Sequence, residues 1–146
     1  MNKLLRFVCM LLIFSLVIPL PVNAQTEGDT RASAYIASHT LSIDKTGNYQ
    51  FKIWFDVVAN AKVMDEIGLS EAVIYRSPDN VSWYEVRTYT MDENPEMIAT
   101  NTTSHTGYIT YSNATGKYYK AEVTIYAKKG TGTAEIYRET TVLQMR

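Results

Sequence analysis

The chain has 146 residues, with 14 Lys and Arg against 15 Asp and Glu and a net charge of −1. Such a balance lacks the basic surface that nucleic acid or an anionic membrane needs in a partner. The single cysteine, Cys9, leaves no disulfide framework, so any folded domain must be held by its core.

Residues 1–24 read as a secretory signal peptide. Lys3 and Arg6 form the positive start, Phe7 to Ile18 is an apolar run broken only by Ser15, and Val22-Asn23-Ala24 is a small-residue cleavage site before Gln25. The run is short for a membrane span of about 20 residues. Cys9 lies inside the run and not at the cleavage point, which argues against a lipid anchor. Removal of 24 of the 146 residues leaves 122, one domain by size, and takes Lys3 and Arg6 with it. The expected product is secreted and extracellular, with no membrane anchor after cleavage.

Residues 25–34, a mostly polar segment, are expected to be a flexible lead-in. Residues 35–146 are expected to form a single domain in which the dominant hydrophobic period is two. "HTLSID" alternates through Leu41 and Ile43, and "KTGN" signals a turn. "YQFKIWFDVVA" places Tyr49, Phe51, Ile53, Phe55 and Val57 on one face and Gln50, Lys52, Trp54 and Asp56 on the other. "VMDEIG" reads as a turn in which Met64 and Ile67 cap the core, Asp65 caps the turn and Gly68 supplies a positive φ. "LSEAVIYRS", the turn "SPDN" and "VSWYEVRTY" make a hairpin. Residues 91–105 read as a long polar loop. "TGYITYS", "YYKAEVTIYA" and "AEIYRETTVLQ" complete the set, separated by turns at "NATG" and "KKGTGT". The pattern predicts an all-β fold, an antiparallel β-sandwich of about seven strands, immunoglobulin- or fibronectin type III-like. Tyr119, at the start of its strand and two residues before Ala121, occupies the place of the corner tyrosine of such sandwiches, with Ala121 in the slot that is cysteine in antibody domains.

The stretches "RASAYIASHT", "MDEIGLSEAVIYRSPDNVSWYEVRTYT", "TSHTGYITYS" and "GKYYKAEVTIYA" cover most of the chain after the signal. In order and spacing they resemble a family of small secreted proteins of unknown function from Gram-positive, clostridia- and bacilli-like bacteria. The resemblance implies bacterial export and a β-sandwich, and brings no activity or site residues.

Candidate chemistry is sparse. Two "MDE" runs, at 64–66 and 91–93, raise paired carboxylates. Adjacent acids diverge on most backbones, so only one residue from each run could form a glycosidase-like pair. Asp92, Glu93, Asn94 and Glu96 gather enough oxygens for calcium but lack the spacing of a calcium loop. His39 and His105, in an echoed "SHT", are too few for zinc. The sequons at Asn80, Asn101 and Asn113 read as polar turns. Eleven Tyr and two Trp exceed what so small a core needs. Trp54 faces outward, and Trp83 and Tyr84 point to opposite faces of their strand, so exposed rings offer a binding surface. The resulting expectation is a non-catalytic extracellular interaction protein with an unknown protein or glycan partner, no catalytic residue, no metal and no cofactor. The alternative is a carbohydrate-binding module; an enzyme or calcium-binding protein using the acidic loops is less favoured. Candidate ligand contacts are Trp54, Trp83, Tyr84, Asp92 and Glu93.

Overall fold

The computed structural model describes residues 34–145. The signal-peptide reading of 1–24 and the polar segment that follows, up to residue 33, lie outside the described residues. Among the described residues nine strands occur in chain order: β1 (Ile36–Gly47), β2 (Gln50–Ala59), β3 (Met64–Ser77), β4 (Tyr84–Thr90), β5 (Ile98–Thr102), β6 (Ser104–Ser112), β7 (Tyr118–Lys129), β8 (Gly132–Glu139) and β9 (Leu143–Gln144), with a 3-10 turn at Pro95–Met97. One sheet has the order β1-β2-β6. The other has β4-β3-β7-β8, with β5 also pairing β3 and β9 also pairing β7. All pairings are antiparallel. This is a β-sandwich of the immunoglobulin and fibronectin type III kind, and its seven long strands match the expected number. β5 and β9 are additional.

The core follows from the alternation. Phe51, Ile53, Phe55 and Val57 of β2 face Tyr119, Ala121, Val123 and Ile125 of β7, and all eight are buried. Tyr49 departs from the expected pattern. Gly47 pairs with Gln50, so Asn48 and Tyr49 form a two-residue turn, and Tyr49 is 65% exposed. β3 changes phase midway. Leu69 pairs with Ile125 but Glu71 with Thr124, so Ser70 is an extra residue. That bulge moves the inward set from Ile67 and Leu69 to Ala72 and Ile74, all fully buried.

Three further sequence expectations are corrected. "VMDEIG" is not a turn, because Met64 already belongs to β3. Met64 and Ile67 are fully buried as expected, and Gly68 has φ +150°, but inside a strand. Asp65 does not cap its own turn. Its carboxylate accepts the Gly130 N–H at 2.6 Å and pairs with Lys129 at 2.9 Å, tying down the β7–β8 hairpin. The 91–105 loop is largely structured, holding the 3-10 turn, β5 and the start of β6. β5 pairs Met64–Gly68, which supplies a neighbour to the first half of β3. Finally, "AEIYRETTVLQ" is interrupted at Thr140. There the hydroxyl oxygen accepts the Ala121 N–H at 2.9 Å in place of a ladder carbonyl, and the register slips before β9.

The corner reading of Tyr119 agrees with the structure. The ring is fully buried and its hydroxyl accepts the Gly116 N–H at 2.7 Å, three residues upstream. Ala121 is fully buried as well.

Candidate functional site

The outer face of the β1-β2-β6 sheet carries the clearest assembly of solvent-facing rings. Trp54 lies on β2 between the buried Ile53 and Phe55, so the pleat turns it outward. Tyr108 of β6 sits directly opposite it in the ladder. Their ring centroids are 4.8 Å apart at an interplanar angle of 58°. Trp54 is 39% and Tyr108 47% exposed. Lys52, two residues before Trp54 and therefore on the same face, holds its ammonium 3.6 Å from the Tyr108 centroid and 5.0 Å from that of Trp54. Beyond Trp54 on the same strand, Asp56 accepts a hydrogen bond from the Thr106 hydroxyl at 2.5 Å. A cation, two rings and a carboxylate thus form one row. Beside it, along the open side of β6, runs a groove of about 670 Å³ whose far wall is Tyr89, Asn94 and Glu96.

The second aromatic group lies on the other sheet. Trp83, just before β4, is half-buried, and Tyr84 is 58% exposed. The Lys120 ammonium is 5.1 Å from the Trp83 centroid and 5.4 Å from that of Tyr75. Lys120 is also bound by the carboxylates of Glu139 and Glu122, which hold its pKa above the usual lysine value despite partial burial. A cavity of about 430 Å³ lies alongside, bordered by Glu71, Tyr75, Glu122 and Glu139. The two lysines differ in what they can offer a ligand. Lys120 is neutralised, whereas Lys52 has no ion pair with a carboxylate among the described residues.

Asp92 and Glu93 are exposed in the turn after β4, where the backbone N–H groups of Glu93 and Asn94 bond the Thr90 carbonyl. They do not line the groove; their neighbours Asn94 and Glu96 do. The two "MDE" runs are kept apart. Asp65 is engaged with Lys129 and Gly130, and Glu66 with Lys128 and the Tyr126 hydroxyl. Among the described residues no three His, Cys, Asp or Glu side chains gather as a metal site. The two "SHT" runs lie on either side of β2. Ser38, His39 and Thr40 pair with Val58, Val57 and Asp56, which pair in turn with Ser104, His105 and Thr106. The two histidines flank one β2 residue on opposite sides.

Tyr108 and Lys52 were not singled out by the sequence. The signal was there in alternation, since Lys52 shares a face with Trp54, but Tyr108 required the β2–β6 register.

Two aspartates carry the acid dependence. Asp79, in the β3–β4 turn, accepts the N–H groups of Ser82 and Val81 and the Ser77 hydroxyl, which lowers its pKa from 3.8 to about 2. Asp65 is lowered by the Gly130 N–H and by Lys129. A depressed pKa favours the folded state above the unfolded value, and that contribution disappears as pH falls through the folded value. Stability should therefore decline between pH 3.8 and about 2. Asp79→Asn should lower the melting temperature at neutral pH and flatten this acid limb, measured by melting curves across pH.

No protein-family model matches the chain, and no curated protein is similar to it. The resemblance to small secreted Gram-positive proteins acquires no matched family from these comparisons.

Proposed function

We propose that the chain is an exported, non-catalytic binding protein that holds an extracellular glycan on the Lys52–Trp54–Tyr108 platform. The observation that supports this most directly is a solvent-facing tryptophan packed against a solvent-facing tyrosine, with the Lys52 ammonium in contact with both rings and without a carboxylate partner among the described residues. Aromatic rings present a flat apolar face to the C–H face of a sugar. Lys52 and Asp56 flank the rings as donor and acceptor for hydroxyl groups. Export and bacterial origin rest on the signal-peptide pattern and on the sequence resemblance.

Tryptophan fluorescence tests it. In a Trp83→Phe background Trp54 is the only reporter, and titration with cell-wall and plant glycans should give a saturable change. Trp54→Ala should weaken binding at least about tenfold, because truncating a central aromatic anchor costs about 2 kcal/mol or more. Affinity for Trp54→Ala, Trp83→Phe and the unmodified protein can be compared by calorimetry. A flat response to every glycan would refute the sugar reading and leave a protein partner for the same face.

A further inference from the structure

We infer that β6 is a self-pairing edge and that two copies of this chain join through it into one continuous six-stranded sheet. The backbone geometry identifies which groups are on offer. The Ala59 N–H bonds the Thr103 carbonyl at 2.7 Å, so in the alternation that follows, His105, Gly107, Ile109 and Tyr111 point their main-chain groups toward β2. Thr106, Tyr108 and Thr110 point theirs away. The Tyr89 hydroxyl, donating to the Thr110 carbonyl at 3.2 Å, confirms that direction.

An exposed row of this kind is a template for strand addition, and proteins ordinarily blunt it with charge, proline, bulges or shortness. The other edges carry such devices. β1 has Asp44 and Lys45 and a register shift near each end. β4 has Glu85, Arg87 and a bulge. β8 has Glu135, Arg138 and Glu139. β5 and β9 are short. β6 runs from Ser104 to Ser112 with no Lys, Arg, Asp, Glu or Pro, and its register with β2 is unbroken.

The sequence of β6 favours its own copy. Its outer-face residues are Ser104, Thr106, Tyr108, Thr110 and Ser112, which read the same in both directions about Tyr108. Antiparallel pairing on a two-fold axis at Tyr108 sets Thr106 opposite the partner's Thr110 and Ser104 opposite the partner's Ser112. Threonine pairs are favourable cross-strand neighbours, and no like charges are brought together. On the inner face Gly107 lies opposite the partner's Ile109, small against large. The pairing offers about six main-chain hydrogen bonds, two of them to the Thr110 carbonyls, each of which also accepts the Tyr89 hydroxyl of its own chain through its second lone pair. The second strand would lie in the groove between β6 and the wall of Tyr89, Asn94 and Glu96.

Dimerisation would also extend the platform. Trp54 and Tyr108 are ladder partners, so their counterparts in the second copy continue the row as Trp54, Tyr108, the partner's Tyr108 and the partner's Trp54. At a strand spacing of about 4.8 Å the row spans about 14 Å, the scale of a short oligosaccharide. The dimer itself needs no ligand, so its test is independent of the glycan reading.

Sedimentation equilibrium on the purified protein should give twice the chain mass. Thr106→Lys combined with Thr110→Lys puts lysine against lysine twice across the axis and should yield a monomer. Thr106→Lys combined with Thr110→Glu puts lysine against glutamate twice and should restore the dimer, a result that only antiparallel pairing in this register produces. Circular dichroism melts check that each variant is folded. A monomeric unmodified protein overturns the proposal, as does a dimer that survives the double lysine substitution or a Lys/Glu variant that is folded but monomeric.

Discussion

Gly68→Ala should unfold the protein or cost it about 3–5 kcal/mol, since it combines overpacking against fixed backbone with a backbone conformation closed to alanine. Gly68 sits in β3 with φ +150°. A Cβ built there falls 2.0 Å from the Met97 carbonyl oxygen and 2.9 Å from Cδ2 of His105. Neither obstacle can swing aside cheaply. Met97 is 1% exposed and its backbone closes the 3-10 turn leading into β5, and the His105 ring is held by the Glu96 carbonyl at 2.9 Å and lies edge-on to Phe55. Gly68 itself pairs with Ile98 on one side and Tyr126 on the other, so relief would require displacing a ladder. Gly130→Ala is the matched control. It also has a positive φ, +58°, but its Cβ meets nothing within 4 Å, so it should cost only about 1–2 kcal/mol. Urea unfolding of the two variants separates the contributions. Equal costs would mean that the close approach at Met97 is absent.

The same region marks where the sequence stopped being informative. A positive φ at Gly68 was readable, but its cause lies 29 residues away in Met97, beyond any local pattern. Residues 98–102, "IATNT", lack the alternating apolar residues that announce a strand, and Asn101 has φ +54°. They pair because β3 presents Met64–Gly68 with one side open. By contrast, the long strands with one wet face were legible because burial imposes period two on them. Turn chemistry was legible at Asn80 and Asn113, whose φ of 63° and 65° asparagine tolerates better than other side-chain-bearing residues. Asn101, also read as a turn, lies instead inside β5. The candidate site was half visible. Outward placement of Trp54 follows from its own strand, whereas the contact with Tyr108 depends on pairing between segments more than 40 residues apart in sequence.

Phe51→Ala should be comparably severe, costing about 3–5 kcal/mol, while Tyr119→Phe should cost about 1–2 kcal/mol. Phe51 is fully buried on β2, with ring centroids 5.1 Å from both Tyr111 and Tyr119, and Tyr111 lies 5.8 Å from Tyr119. Phe51 and Tyr111 belong to one sheet and Tyr119 to the other, so the trio ties the two layers together in a protein with no disulfide among its described residues. Truncating Phe51 leaves a cavity at that junction, because neighbours on two hydrogen-bonded sheets cannot collapse into it freely. Tyr119→Phe keeps the ring and removes only the oxygen that accepts the Gly116 N–H, so it isolates the corner hydrogen bond. The two changes meet at one contact and should not be additive. Loss of Phe51 frees the Tyr119 ring to shift, which weakens the corner bond before the hydroxyl is removed. The double variant should therefore be less unstable than the sum of the singles, measured by urea unfolding of all four proteins. Strict additivity would mean that the corner holds Gly116 without help from the trio, and an unchanged Tyr119→Phe would mean that water serves the Gly116 N–H as well as the tyrosine does.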